Sequence, residues 1–224
     1  MKTLTVRGKR DGFGAQYQAI MSGIAYCNYM NYKYIHTPFK DIAHDEDSEK
    51  LNEFIGIPVS NEKNIDFVVN YCRDVHISKT PDIYYNSDVI KILQEYYYST
   101  PKPNVVVPDI AIHIRRGDVK KQNKKRYTPD NKYKEILTFF LEKYPNKKIT
   151  IFSEGTLDSF KNLQHHNVDF KLNTSTEETF HALVSAKILV TAKSSFSYCA
   201  ALLNKNEIFY IPFWHEPLKK WNIL

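Results

Sequence analysis

A chain of 224 residues with 42% hydrophobic and 25% charged side chains can bury one or two ordinary globular cores. Sixteen Tyr and thirteen Phe favour packed sheets and aromatic clefts, and exclude a disordered, low-complexity or solenoid chain. The formal charge of +6 suits a phosphate-rich partner, whether a nucleotide diphosphate, an anionic glycan or a nucleic acid.

Leu4 to Val6 reads as a strand and runs into a glycine-rich, charged loop, Gly8 to Gly14. Ala15 to Tyr32 carries apolar residues at helical spacing. Tyr34 to His36 is a second strand, stopped by Pro38. Strand, glycine loop, helix, strand is the opening of a βαβ unit. The next stretch, Asp41 to Asn64, is polar, with one helical segment near Ser48 to Ile55. Phe67 to Asn70 predicts a strand and Ser87 to Tyr98 a helix. Ser99 to Asn104 holds two prolines in a polar stretch and marks a boundary, giving domains of residues 1–104 and 105–224.

The second half alternates more plainly. Strands are predicted at Asp109 to Ile114, Lys148 to Phe152, Val168 to Leu172, Ile188 to Thr191 and Glu207 to Ile211. Helices are predicted at Asp130 to Tyr144, Thr156 to Gln164, Thr176 to Ser185 and Phe196 to Leu203. That alternation implies an α/β fold, with parallel sheets covered by helices on both faces. Ligands of such sheets lie beyond the carboxyl ends of the strands.

Three segments fall at such ends. Gly12-Phe13-Gly14-Ala15-Gln16 lies between a strand and a helix, where glycines let backbone approach a ligand and a helix start favours anions; a plain tight turn reads equally well. His113-Ile-Arg115-Arg116-Gly-Asp118 ends a strand with two guanidinium forks suited to phosphate, and a carboxylate able to orient an arginine or accept a proton. Lys193-Ser194-Ser195-Phe196-Ser197 offers hydroxyls and helix-start amides to a phosphate or ribose, or merely caps a helix. No Asp-x-Asp pair flanked by apolar strands is present, so side chains are expected to neutralise a leaving diphosphate without a metal or other cofactor.

Cys27, Cys72 and Cys199 are too dispersed for a zinc site and read as buried thiols of a reducing compartment. The N-terminus lacks an apolar signal region, and Ala182 to Ala192, interrupted by Lys187, is far short of the ~20 residues of a membrane span. The expectation is a cytoplasmic protein, or a soluble piece of a longer one. A rival reading is a non-catalytic anion or RNA binder. It rests on the net charge and the run Lys120 to Arg126, followed by Tyr127.

Taken in order, the three segments resemble the GDP-fucose-dependent fucosyltransferases that share an H-x-R-R-x-D motif: the α1,2-, α1,6- and protein O-fucosyltransferases. His113, Arg115, Arg116 and Asp118 match each fixed position. The glycine loop resembles their G-x-G-x-Q segment, and Ile151-Phe-Ser153-Glu154 the I-F-S-D strand end of the α1,2 group. Lys193 to Asn204 is similar to N-S-S-F-S-W-W-A-A-x-L-N. The resemblance implies a GT-B architecture, with an acceptor-side Rossmann-like domain facing a nucleotide-sugar-binding one across a cleft. It implies inverting transfer of fucose from GDP-fucose to a glycan or protein hydroxyl, with no metal; no nucleic-acid partner is then expected, as no membrane span is from the apolar stretches. Arg115 or Arg116 would hold the β-phosphate, His113 would lie near the nucleotide, and Ser194 and Ser195 would hold diphosphate oxygens or ribose. The base would be Asp11 or Asp118, with Asp11 favoured. The family's guanine-contacting aspartate falls on Thr179, with Glu178 one residue earlier, and Tyr198-Cys199 replaces its paired aromatics. A chain shorter than most relatives implies a trimmed acceptor domain.

Overall fold

The computed structural model describes residues 1–43, 47–62, 64–119, 122–123 and 125–224, and divides into two compact units. Unit 1 comprises Met1–Lys102 with Trp214–Lys219, and unit 2 comprises Pro103–Phe213 with Lys220–Leu224. The main division falls at Lys102/Pro103. The return of Trp214–Lys219 to unit 1 has no counterpart in the sequence reading, which closes the second half without interruption.

Unit 1 is built on a three-stranded parallel sheet of order β2-β1-β3, from β1 (Thr3–Val6), β2 (Lys33–Tyr34) and β3 (Phe67–Val69). The crossover helix α1 (Phe13–Met30) is buried along most of its length. Gly23 lets it approach the sheet, because a Cβ there would come within 2.6 Å of Val6 Cγ2 and 2.9 Å of Tyr34. The helix begins two residues earlier than its periodicity predicts. Phe13 is driven into the core, where its ring meets those of Tyr17, Phe39 and Phe54, and so draws the first turn inward. Asn31, in the left-handed region at φ 54°, ends it.

Helix α2 (Ser48–Ile55) is capped by Asp47 and closed by Gly56 at φ 68°. After β3 come a single turn, α3 (Arg73–His76), a 3-10 turn at Pro81–Ile83, and α4 (Ser87–Tyr98), capped by Asn86. Lys102 ends the main run of unit 1. Its Nζ donates to the Phe54 carbonyl and lies 4.5 Å from the Tyr97 ring centroid.

Unit 2 has six parallel strands in the order β6-β5-β4-β7-β8-β9. They are β4 (Ile110–His113), β5 (Ile149–Ser153), β6 (Val168–Leu172), β7 (Ile188–Val190), β8 (Glu207–Tyr210) and β9 (Asn222–Ile223). Between them run α5 (Asp130–Lys143), a 3-10 segment (Leu157–Leu163), α6 (Thr176–Ser185) and α7 (Ser195–Leu203). Ile110, Ile112, Ile114, Ile149 and Ile151 pack with Ile136, Phe140, Phe160 and Leu163 on one face. Each such buried side chain contributes about 1.5–3 kcal/mol. Helices α6 and α7 pack on each other. Asn204 locks their ends together by donating to the carbonyls of Leu183 and Ala186, both at 2.9 Å.

The helix predicted at Thr156 to Gln164 is a 3-10 segment broken at Phe160. Phe160 is almost fully buried, and seating that ring takes its backbone to φ −116°. Among the described residues no helix is long and apolar enough to cross a membrane. Cys27, Cys72 and Cys199 are all buried.

Candidate active site

The chain leaves β4 outward through β5 to β6, then returns to β7 on β4's other side. The connections at the carboxyl ends of β4 and β7 therefore diverge, and that crevice is where open parallel sheets bind ligands. The arginine loop leaves β4 there, and the serine loop leaves β7.

His113 closes β4. Alternation along the strand sends Ile114 into the core beside α5 and turns His113 the other way, against Phe196 of α7 at 5.5 Å between ring centroids. Phe196 rests edge-on against Phe180 of α6 at 5.2 Å. The imidazole is buried, and its Nδ1 has no hydrogen-bond partner among the described residues. Burial, and then the nearby Arg115 cation, lower its pKa to about 3, so the ring is neutral at ordinary pH. A buried ring nitrogen left unsatisfied costs free energy that a ligand's hydrogen bond would recover.

The two arginines have different fates. Arg115 donates from Nε and Nη2 to the two oxygens of Asp118, at 3.1 and 2.6 Å. This fork holds a partly exposed guanidinium on the side of the sheet that carries His113. Arg116 is turned the opposite way. It donates to the Asp130 carboxylate at 2.6 Å and to the carbonyls of Thr128 and Arg115, and it lies over the rings of Tyr127 and Tyr133 at 4.3 and 5.6 Å. The pair read from the sequence as two phosphate ligands thus contains one presented guanidinium and one built into the start of α5. The Tyr127 ring, read as a stacking partner for an RNA base, is covered by Arg116. Of the basic run before it, Lys120, Lys121 and Lys124 lie outside the described residues.

Gly117 adopts φ 65°, and a Cβ there would strike the Glu154 carboxylate. Glu154, at the end of β5, is exposed beside this loop. Ser153, expected to contact substrate, instead donates its buried hydroxyl to the Ile114 carbonyl at 2.6 Å and ties β5 to the arginine loop.

The serine loop divides its hydroxyls likewise. Ser197 is fully buried; it accepts from the Ala192 amide at 3.0 Å and bonds back to the same residue's carbonyl. Its work is to fold the loop, not to meet substrate. Ser194 caps α7 by accepting from the Phe196 amide at 3.2 Å. Ser195, half-buried in the first turn, keeps a hydroxyl with no hydrogen bond among the described residues. Glu178 is exposed in the first turn of α6, and Thr179 spends its hydroxyl on Thr174.

The remaining candidates belong to unit 1. Asp11 is exposed, and its Oδ2 pairs with Lys9 at 2.9 Å. Phe13 is a core residue and Gly14 is buried, so neither side presents itself to a ligand. Gln16 donates its buried side-chain amide to the carbonyls of Asp11 and Asp41, both at 2.7 Å, and pins the glycine loop to the segment after β2. Gly12, at φ −62°, is the N-cap of α1. Asp130, Tyr133, Phe180 and Asn204 were not marked by the sequence as parts of the site. Only the acid at the start of a predicted helix hinted at Asp130. Among the described residues no group of three or more His, Cys, Asp or Glu could hold a metal ion.

The model of glycosyl transferase family 11 matches residues 103–217, just over half of the chain, and the match takes in both the arginine and serine loops. A comparison with the curated proteins found no match. Among solved structures, the E. coli heptosyltransferase WaaC with ADP is similar at 12% identity over 100% of this chain and 92% of its own, with a TM-score of 0.50. POFUT1 in complex with GDP-fucose is similar at 11% identity over 94% of this chain and 97% of its own, with a TM-score of 0.49. At these identities the likeness is one of fold, and the fold is of the GT-B type. With the family's match covering both loops that meet at the β4/β7 crossover, the chain belongs to glycosyl transferase family 11 and is a glycosyltransferase of the fucosyltransferase type.

Proposed function

We propose that this enzyme moves fucose from GDP-fucose to a hydroxyl of a glycan or protein, with inversion and without a metal. The observation that carries the reading is the Arg115–Asp118 fork, held beside the unsatisfied Nδ1 of His113 at the β4/β7 crossover. A presented guanidinium matches a diphosphate bidentately and takes up charge as it develops on the leaving group. The acceptor oxygen attacks the anomeric carbon, the bond from that carbon to the β-phosphate oxygen breaks, and the acceptor proton passes to a base. Arg115 receives the charge on departing GDP, His113 offers a neutral ring to the nucleotide, and Ser195 and the α7 amides suit its phosphate or ribose oxygens.

For the base, Asp11 is favoured over Asp118. Both oxygens of Asp118 are occupied by Arg115, whereas Asp11 is exposed and pairs through a single oxygen. The test is a thermal-shift series with GDP, ADP and UDP, followed by a transfer assay with GDP-fucose in EDTA. Selective stabilisation by GDP and undiminished transfer are expected. Stabilisation by UDP alone would overturn the donor, and rescue of a chelated enzyme by manganese would overturn the leaving-group chemistry.

A further inference from the structure

A transferase needs a place for its second substrate, and unit 1 holds a pocket of about 340 Å³ at the carboxyl end of β1, a volume within the usual range for small-ligand sites. Its apolar wall includes Val6, Ile20 and Phe39. Its polar wall is strongly one-signed: Arg7, Lys9, Arg10 and Lys40 against the single carboxylate of Asp41. Lys9 is paired with Asp11, and Arg10 stands 3.8 Å from Asp41. Arg7 and Lys40 are exposed and have no ionic partner among the described residues. Two cations with no ionic partner among the described residues, beside an apolar wall, make a site for an amphipathic anion, apolar on one face and charged at one edge. A pyranose ring bearing a carboxylate, sulfate or phosphate has that character, with its C–H face for Ile20 and Phe39 and its anion for Arg7 and Lys40.

We infer that the acceptor is an anionic sugar, and that this pocket of unit 1 selects it through Arg7 and Lys40. The inference rests on the glycosyl-transfer reading for the word acceptor, but the pocket's preference is measurable without turnover. The wild-type protein is titrated by ligand-observed NMR with methyl glucoside, methyl glucuronide, methyl glucoside 6-sulfate and methyl glucoside 6-phosphate, and with sodium sulfate alone. The charged sugars are expected to bind roughly tenfold tighter than the neutral one, as about 1.5 kcal/mol from a charge-assisted contact requires. The gap should close as salt rises. The three charged glycosides rank carboxylate, sulfate and phosphate against one another. In the double variant Arg7→Ala, Lys40→Ala the preference should vanish, while stabilisation by GDP stays at the wild-type level and certifies the fold. Equal binding of neutral and charged sugars would overturn the inference. So would an intact preference in the double variant, displacement of the sugars by GDP, or sulfate alone binding as well as the sulfated sugar. Failure of GDP to stabilise the wild type would instead count against the donor assignment and leave the sugar titration standing.

Discussion

At the scale of single residues, the adjacent arginines separate chemistry from architecture. Arg115 is held outward by Asp118, so Arg115→Ala should remove a contact that strengthens as the diphosphate departs. Transfer should fall by about 10²–10³-fold, the cost of a lost charge-stabilising donor, with little change in Tm. Arg115→Lys should restore little, because an ammonium lacks the fork. Steady-state kinetics beside a melting curve check both, and near-normal turnover in Arg115→Ala would remove it from the site. Arg116→Ala should behave in the opposite way. It strands the Asp130 carboxylate and uncovers Tyr127, so stability should drop by about 1–3 kcal/mol, and Asp130→Asn should show much of the same loss. An Arg116→Ala protein that melts normally yet is inactive would show that Arg116 leaves Asp130 to hold substrate.

At the scale of elements, the serine loop depends on a side chain that never meets solvent. Ser197 lies in the first turn of α7 and reaches back to Ala192, so the loop's path is set by the helix that follows it. Ser197→Ala leaves a buried amide unsatisfied, and a loss of about 1–3 kcal/mol with weaker GDP binding is expected, read by urea melts and by titration. Ser195→Ala should keep full stability and lose only affinity. If the two variants exchange these phenotypes, the loop is held differently. Lys193 to Asn204 was legible in the sequence as a motif, but its division of labour was not. Ser194, Ser195 and Ser197 look interchangeable until α7 forms and its 3.6-residue turn decides which hydroxyl points inward. Asn204 ends the same motif for a wholly structural reason, as the tie between α6 and α7.

At the scale of the whole molecule, His36, His113 and His215 are buried, His76 is half-buried, and all four are held neutral. Burial is the leading cause in each, lowering His36 and His215 to about 4 and His76 and His113 to about 3. His215 and Lys9 add to the effect at His76. Below their ordinary 6.5, the unfolded chain binds protons that the folded chain refuses. Stability is therefore full above about pH 6.5 and is lost as pH falls towards 4 and 3. Each group adds a slope of up to about 1.4 kcal/mol per pH unit in that window. Calorimetry should find Tm flat from pH 8 to 7 and falling steeply from pH 6 to 4, and His36→Gln should soften the fall. A Tm unchanged between pH 7 and 5 would mean that these rings are hydrated in solution.

The sequence by itself determined the alternation of strands and helices, the parallel sheets and the strand-end position of the arginine motif. Each follows from local periodicity and from the chemistry of a few neighbouring residues. It could not decide which of two adjacent arginines faces the crossover. That choice depends on strand parity together with Asp130 and Tyr133, brought beside the loop only when α5 packs on the sheet. Nor could it separate Phe13 and Gln16, consumed by the core and by backbone carbonyls, from residues free to meet a ligand. The path of Trp214–Lys219 into unit 1, and the basic pocket that joins residues 6–10 to residues 37–41, exist only once separated segments fold together. Contacts between residues far apart in the chain leave no local period in the sequence, so only the tertiary structure displays them.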